Sequence, residues 1–147
     1  MRIQWSASNR RQGFTLVELA VVIVIIGVLA AFGVPRFLKS VERSKAGEAV
    51  SYLSAVRSSQ ERYQSQNGTY ASDLTTLDLV MANPKYFTVG TPAAGGTGSL
   101  QDSWTLTLTR AGASAGYGAY TVVFTQDGFD TTNSTIATMP DINPMGQ

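Results

Sequence analysis

The sequence predicts an α+β fold: a long, kinked N-terminal helix whose C-terminal half packs on a small antiparallel sheet. Three observations predict it. A block of 22 nearly unbroken apolar residues runs from Phe14 to Pro35. Apolar residues then recur at helical spacing as far as Gln66. Beyond residue 70 the period drops to two.

The chain opens with a polar, basic leader, residues 1–13, carrying Arg2, Arg10 and Arg11 and ending in Gly13. Residues 14–35 follow, long enough to cross a bilayer at about 33 Å of helix. Their Val and Ile content does not oppose helix in an apolar solvent, where backbone groups must pair internally. Pro35 removes one helix donor and Gly33 weakens the same turn, so a kink or local melting is expected near Phe32–Pro35. Gly27 is a second soft point.

Residues 36–66 read as an amphipathic helix. Ala46, Ala49, Val50, Leu53, Val56 and Tyr63 form one stripe, with Arg43, Lys45, Glu48, Arg57, Gln60 and Glu61 on the remaining surface. Asn67-Gly68 supplies the stop. The rod from Phe14 to Gln66 spans about 80 Å. The remaining 80 or so residues cannot wrap it. Its first half must therefore be shielded by lipid or by copies of itself.

Residues 67–147 form the globular part. Trp104, Leu106 and Leu108 alternate with threonines, as do Tyr120, Val122 and Phe124 with Thr121, Val123 and Thr125. These are two antiparallel strands joined through Ala111–Gly118. Tyr86–Val89 and Ser134–Thr138 are shorter strand candidates, residues 90–99 a flexible loop, and Asp127-Gly128 a turn.

Composition removes whole classes of function. The chain has no Cys and no His, which excludes disulfides, thiolate nucleophiles, the commonest general base and most hydrolytic triads. No paired-carboxylate constellation stands out, so an enzyme is not expected. Net charge is +1, and Glu42, Glu48 and Glu61 interrupt the helical Lys and Arg residues. No one-sign stripe forms, so no nucleic-acid partner is indicated.

Glu18 lies inside the apolar block, where a carboxylate costs roughly 2–3 kcal/mol and calls for a partner. Thr15-Leu-Val-Glu18 satisfies the capping-box pattern, which supplies one partner within the chain. A second reading gives Glu18 a partner on another subunit, and the two are compatible. Asp127 and Asp130, with Asn133 nearby, offer oxygens suited to calcium, although their spacing is not that of an EF-hand loop. No other cofactor is suggested. Six aromatic residues from Phe14 to Tyr70 read as packing along the rod.

Gly13-Phe14-Thr15-Leu16-Val17-Glu18, the long apolar run and Pro35 together resemble the type IV pilins and the related pseudopilins of type II secretion. The resemblance is close from Arg10 to Phe37 and looser through Asn67-Gly68-Thr69-Tyr70. It implies cleavage between Gly13 and Phe14 by a prepilin peptidase/methyltransferase and N-methylation of Phe14. It also implies a meeting of Glu18 with the terminal amine of a neighbouring subunit, and a place for Pro35 in assembly. The precursor is then a single-pass inner-membrane protein with a cytoplasmic N-terminus, surrounded by membrane lipid. Inner-membrane assembly machinery delivers it, with identical or related subunits, into an extracellular pilus or a periplasmic pseudopilus. Many pilins close a C-terminal loop with a disulfide, which this chain cannot form, so the pseudopilin alternative stays open. A third reading, a secreted binding domain left after ordinary signal-peptide removal near Ala30-Ala31, requires the apolar block to be discarded.

Overall fold

The structure is a computed structural model that describes residues 13–146. The leader residues Arg2, Arg10 and Arg11 lie outside that range. One helix, α1 (Leu16–Asn67), is followed by five strands: β1 (Phe87–Val89), β2 (Ala93–Ala94), β3 (Trp104–Arg110), β4 (Thr121–Thr125) and β5 (Gly128–Phe129). Short 3-10 turns occupy Leu74–Thr76 and Thr135–Thr138. The chain divides into two compact units between Arg36 and Phe37.

In the first unit, α1 begins two residues later than the apolar run. Thr15 stays outside as the cap, because its hydroxyl accepts the Glu18 N–H at 3.2 Å. The helix runs on through Phe32–Pro35 without melting. Proline removes a single i→i−4 bond, and the bonds on either side of it maintain the turn. The helix has a window apolar enough to span a bilayer, none of it buried within the chain. It ends where Gly68 takes a positive φ of 73° and donates to the Gln64 carbonyl at 2.8 Å.

The second unit is built around β3. Its residues alternate buried and half-buried without a break, in the register that Trp104, Leu106 and Leu108 dictate. Strands β1 and β2 pair with one edge of β3 and β4 with the other; β5 pairs with β4, and all pairings are antiparallel. The inner sheet face meets the α1 stripe. Ala46, Ala49, Leu53 and Val56 are fully buried against a cluster that includes Trp104, Leu106, Leu108, Val122 and Ile136. Each large aliphatic side chain removed from water there contributes about 1.5–3 kcal/mol.

Three local expectations differ from the structure. The segment 90–99 is not wholly a loop, because Ala93 and Ala94 pair with Thr105 and Trp104. Gly95 cannot carry a Cβ there, since it would lie 2.9 Å from the Ser103 hydroxyl and 3.0 Å from the Trp104 carbonyl oxygen. Ser134–Thr138 is not a strand. Side chains replace the ladder: Ser134 Oγ accepts from Val123 N–H at 2.8 Å and Thr135 Oγ1 from Thr121 N–H at 2.7 Å. The backbone is then free to close a 3-10 turn. Gln60 is not on the polar surface but fully buried. Its amide donates to the Ala71 carbonyl at 2.9 Å and accepts the Ala71 N–H at 2.8 Å, fastening the chain after α1 back onto the helix.

Candidate assembly site on the N-terminal helix

Gly13 and Phe14 are exposed and precede the helix, so the bond between them lies in non-helical chain. No atom stands within 4 Å of a Cβ built on Gly13, and its φ is not in the left-handed region. The protein's own packing therefore does not demand glycine here. A Gly13→Val chain should fold like the parent yet remain uncut between Gly13 and Phe14. Intact mass and circular dichroism on the same sample check both halves of that expectation.

One turn further on, the capping box is closed in both directions. Thr15 donates its backbone N–H and its hydroxyl to Glu18 Oε2, at 2.8 and 2.9 Å. The Thr15 hydroxyl in turn accepts the Glu18 N–H. Both donors converge on one carboxylate oxygen. Among the described residues, Oε1 of Glu18 has no hydrogen-bond partner, which leaves room for a donor from outside the chain.

Around this polar point the helix is apolar on all sides. Every Leu, Ile, Val and Phe from Phe14 to Leu38 is at least 45% exposed. A surface of that extent is far beyond what a monomer in water leaves uncovered. Pro35 lies within it.

The two acidic residues read as a calcium candidate stand elsewhere. Asp127 and Asp130 line a groove of about 760 Å³ on the outer sheet face, with Thr105, Thr107, Thr125 and Asn133. Asp130 is engaged as a turn-former: Oδ1 accepts from Thr132 and Asn133 N–H at 2.9 and 3.0 Å, and Oδ2 from the Asn133 amide at 2.7 Å. The Asn133 side-chain and backbone bonds hold the Asp130 carboxyl below the usual range. Asp127 Oδ2 accepts from the Gln126 amide. Among the described residues, no group of three or more Asp and Glu side chains gathers here or elsewhere.

A buried ionic cluster, not foreseen from the sequence, joins α1 to the sheet. Glu42 and Arg110 side chains are each 1% exposed and meet through Nε–Oε1 at 2.5 Å and Nη2–Oε2 at 3.2 Å. Tyr120 donates to Glu42 Oε1 at 2.9 Å, and Lys45 to Oε2 at 3.3 Å. The rest of the Arg110 fork is satisfied by the Tyr86, Ala111 and Ala113 carbonyls. Burial alone would raise the Glu42 carboxyl. The bonds from Arg110, Tyr120 and Lys45 outweigh it and hold the group below its ordinary value. Burial, together with the bond to Glu42, drives the Tyr120 phenol well above its own.

Comparison with known proteins accounts for both halves of the chain. Residues 8–34 match the prokaryotic N-terminal methylation motif. Residues 35–134 match the family described as type IV minor pilin ComP, DNA uptake sequence receptor. The type IV narrow pilus major component PilA5 of Thermus thermophilus is 38% identical over 71% of this chain and 83% of its own length. The type IV major pilin PilA of Myxococcus xanthus is 32% identical over 70% of this chain, which spans only 47% of that longer protein. The type II secretion system core protein G of Aeromonas hydrophila is 36% identical over 52% of this chain and 53% of its own length. With the methylation motif, the pilin-type domain and the helix-plus-sheet architecture all in place, the chain belongs to the type IV pilin family of structural subunits.

Proposed function

We propose that the chain is a filament subunit, made as a membrane-held precursor and polymerised after loss of residues 1–13. The observation that carries this reading is the apolar surface from Phe14 to Leu38, exposed on every side. Lipid covers it in the precursor, and the same surface of neighbouring copies covers it in the fibre. A prepilin peptidase/methyltransferase cuts after Gly13 and methylates Phe14, and assembly machinery of the inner membrane then extracts the subunit. The new amine at Phe14 meets the open Oε1 of Glu18 on a neighbour. Such a buried pair sets register more than it adds net stability. Pro35 and Gly33 ease local adjustment of the helix during transfer.

A pilus is favoured over a pseudopilus by the reach of the similarity. The pilin-type match runs on to residue 134, through the sheet, whereas the secretion protein matches only 76 residues. Binding of DNA, named in the description of the matched family, draws little support from this surface. Arg62 is held bidentately by Asp78, Lys39 by Asp141, and Arg57 by the Gln126 carbonyl, while Arg110 is buried; Lys45 and Lys85, both beside Tyr86, are a local pair and not a stripe that could follow a nucleic-acid backbone. Calcium at Asp127 and Asp130 stays a proposal of the same rank; a shift in melting temperature on adding calcium to the purified protein, lost in Asp127→Asn, is its test. For the filament reading, the test is shearing of surface fibres from cells at native expression. This chain should be a constituent of those fibres. Its confinement to the cell envelope while fibres are present would favour the pseudopilus.

A further inference from the structure

The first helical turns beyond the apolar block carry a second polar feature. Ser40, Val41, Ser44, Lys45 and Tyr86 line a groove of about 410 Å³. Three cations surround the Tyr86 ring: Lys45 Nζ at 4.9 Å, Lys85 Nζ at 5.7 Å and the Arg110 guanidinium at 5.6 Å from its centroid. The Glu42 carboxylate touches Lys45, but Arg110 already neutralises it through two bonds. The Glu48 carboxylate accepts from the Lys85 N–H at 3.1 Å, so against two carboxylates the three cations leave a single positive charge over beside the groove.

Ser44 supplies an independent observation. Ser54, Ser58 and Ser65 on the same helix all turn their hydroxyls back to the carbonyl four residues earlier. Ser44, like the exposed Ser51, makes no such bond; it lines the groove, and its hydroxyl has no partner among the described residues. A hydroxyl donor, a half-buried ammonium and a half-buried tyrosine at the edge of a cationic patch suit a phosphate ester. Position in the chain decides which one. Lys45 follows Pro35 by only ten residues of chain, so a bilayer crossed by residues 14–35 is the anionic surface that the chain itself keeps within reach. Tyrosine beside lysine is also the composition found at membrane–water interfaces.

We propose that this groove holds the phosphate of an anionic phospholipid headgroup while the subunit waits in the membrane. The inference rests on the membrane-held precursor proposed above. Ser44 Oγ and Lys45 Nζ contact the phosphate oxygens, Lys85 enlarges the field, and Tyr86 walls the site. Departure into a filament then requires release of that lipid, which couples extraction to membrane composition.

Full-length precursor in nanodiscs of phosphatidylcholine, or of an equal mixture with phosphatidylglycerol, tests it by native mass spectrometry of lipids retained on the released protein. Phosphatidylglycerol should be retained preferentially, and Lys45→Gln and Lys85→Gln should each reduce that preference by about fivefold. Ser44→Ala, on an exposed position away from the core, should weaken it without altering the melting temperature. Equal retention of both lipids, or a preference unchanged in all three variants, overturns the proposal. So does displacement of the lipid by millimolar inorganic phosphate, which would make this a free-phosphate site, or occupation of the groove by a second copy. Failure of the precursor to enter nanodiscs of either composition would instead strike at the membrane-held reading itself.

Discussion

A chain carrying Glu18→Ala should be trimmed between Gly13 and Phe14 as fast as the parent but enter filaments at a tenth of the parent's yield or less. The estimate follows from a hydrogen bond to a charged group, worth about 1.5–3 kcal/mol, at roughly tenfold per 1.4 kcal/mol. Alanine also removes the reciprocal cap on Thr15, which costs up to about 1 kcal/mol of helix stability. Glu18→Gln separates the two contributions. Glutamine can still accept from Thr15 and close the box, but it offers no charge to an incoming amine. Filament yield in Glu18→Gln should therefore resemble that of Glu18→Ala, while helix content stays at the parent's level. Full assembly by the glutamine variant would reduce Glu18 to a capping residue.

The second large effect lies in the globular unit. Glu42→Ala leaves the Arg110 guanidinium buried without its carboxylate and the Tyr120 hydroxyl without its acceptor. Breaking a buried pair from one side costs about 3–5 kcal/mol, a large part of the stability of a domain this size. The same contact makes stability depend on pH. The Glu42 carboxyl is held below its unfolded value, so its contribution is complete above about pH 4.5. It is lost as pH falls through the lower, folded value. Denaturant titrations of the parent should lose stability below pH 4.5 more steeply than those of a Glu42→Gln chain. Parallel curves would mean that Glu42 titrates alike in the folded and unfolded states. The Tyr120 phenol, raised by burial and by Glu42, acts in the opposite sense. Its contribution is present below about pH 10 and fades as pH rises through the folded value.

The rod, the two central strands and the processing signal were legible in the sequence because each rests on a local pattern. Apolar spacing of three and four placed Ala46, Ala49, Leu53 and Val56 on the buried face, and strict alternation fixed the inward register of β3. The ionic cluster was written in those same patterns but hidden by residue type. Glu42 continues the Ala46–Ala49–Leu53 stripe upward and Gln60 continues it downward. Arg110 takes the next inward position after Trp104, Leu106 and Leu108. A charge in a core-facing register is a signal that a partner waits opposite. Which partner is a matter of tertiary contact across 68 residues, and no periodicity encodes that. The short strand β2 and the side-chain ladder of Ser134 and Thr135 escaped for a similar reason, since both are held by the edge they lean on. Glu18 was legible in full as a cap. The partner proposed for it on another copy lies beyond what any single chain encodes.

In the filament proposed above, residues from Phe14 onward persist in the working protein and are covered there by other copies. The mass and N-terminal fragmentation of this chain, taken from sheared surface fibres, test it most directly. The expected chain starts at Phe14 and carries one methyl group on its amine. A chain that starts near Phe32, with the apolar block gone, would contradict it.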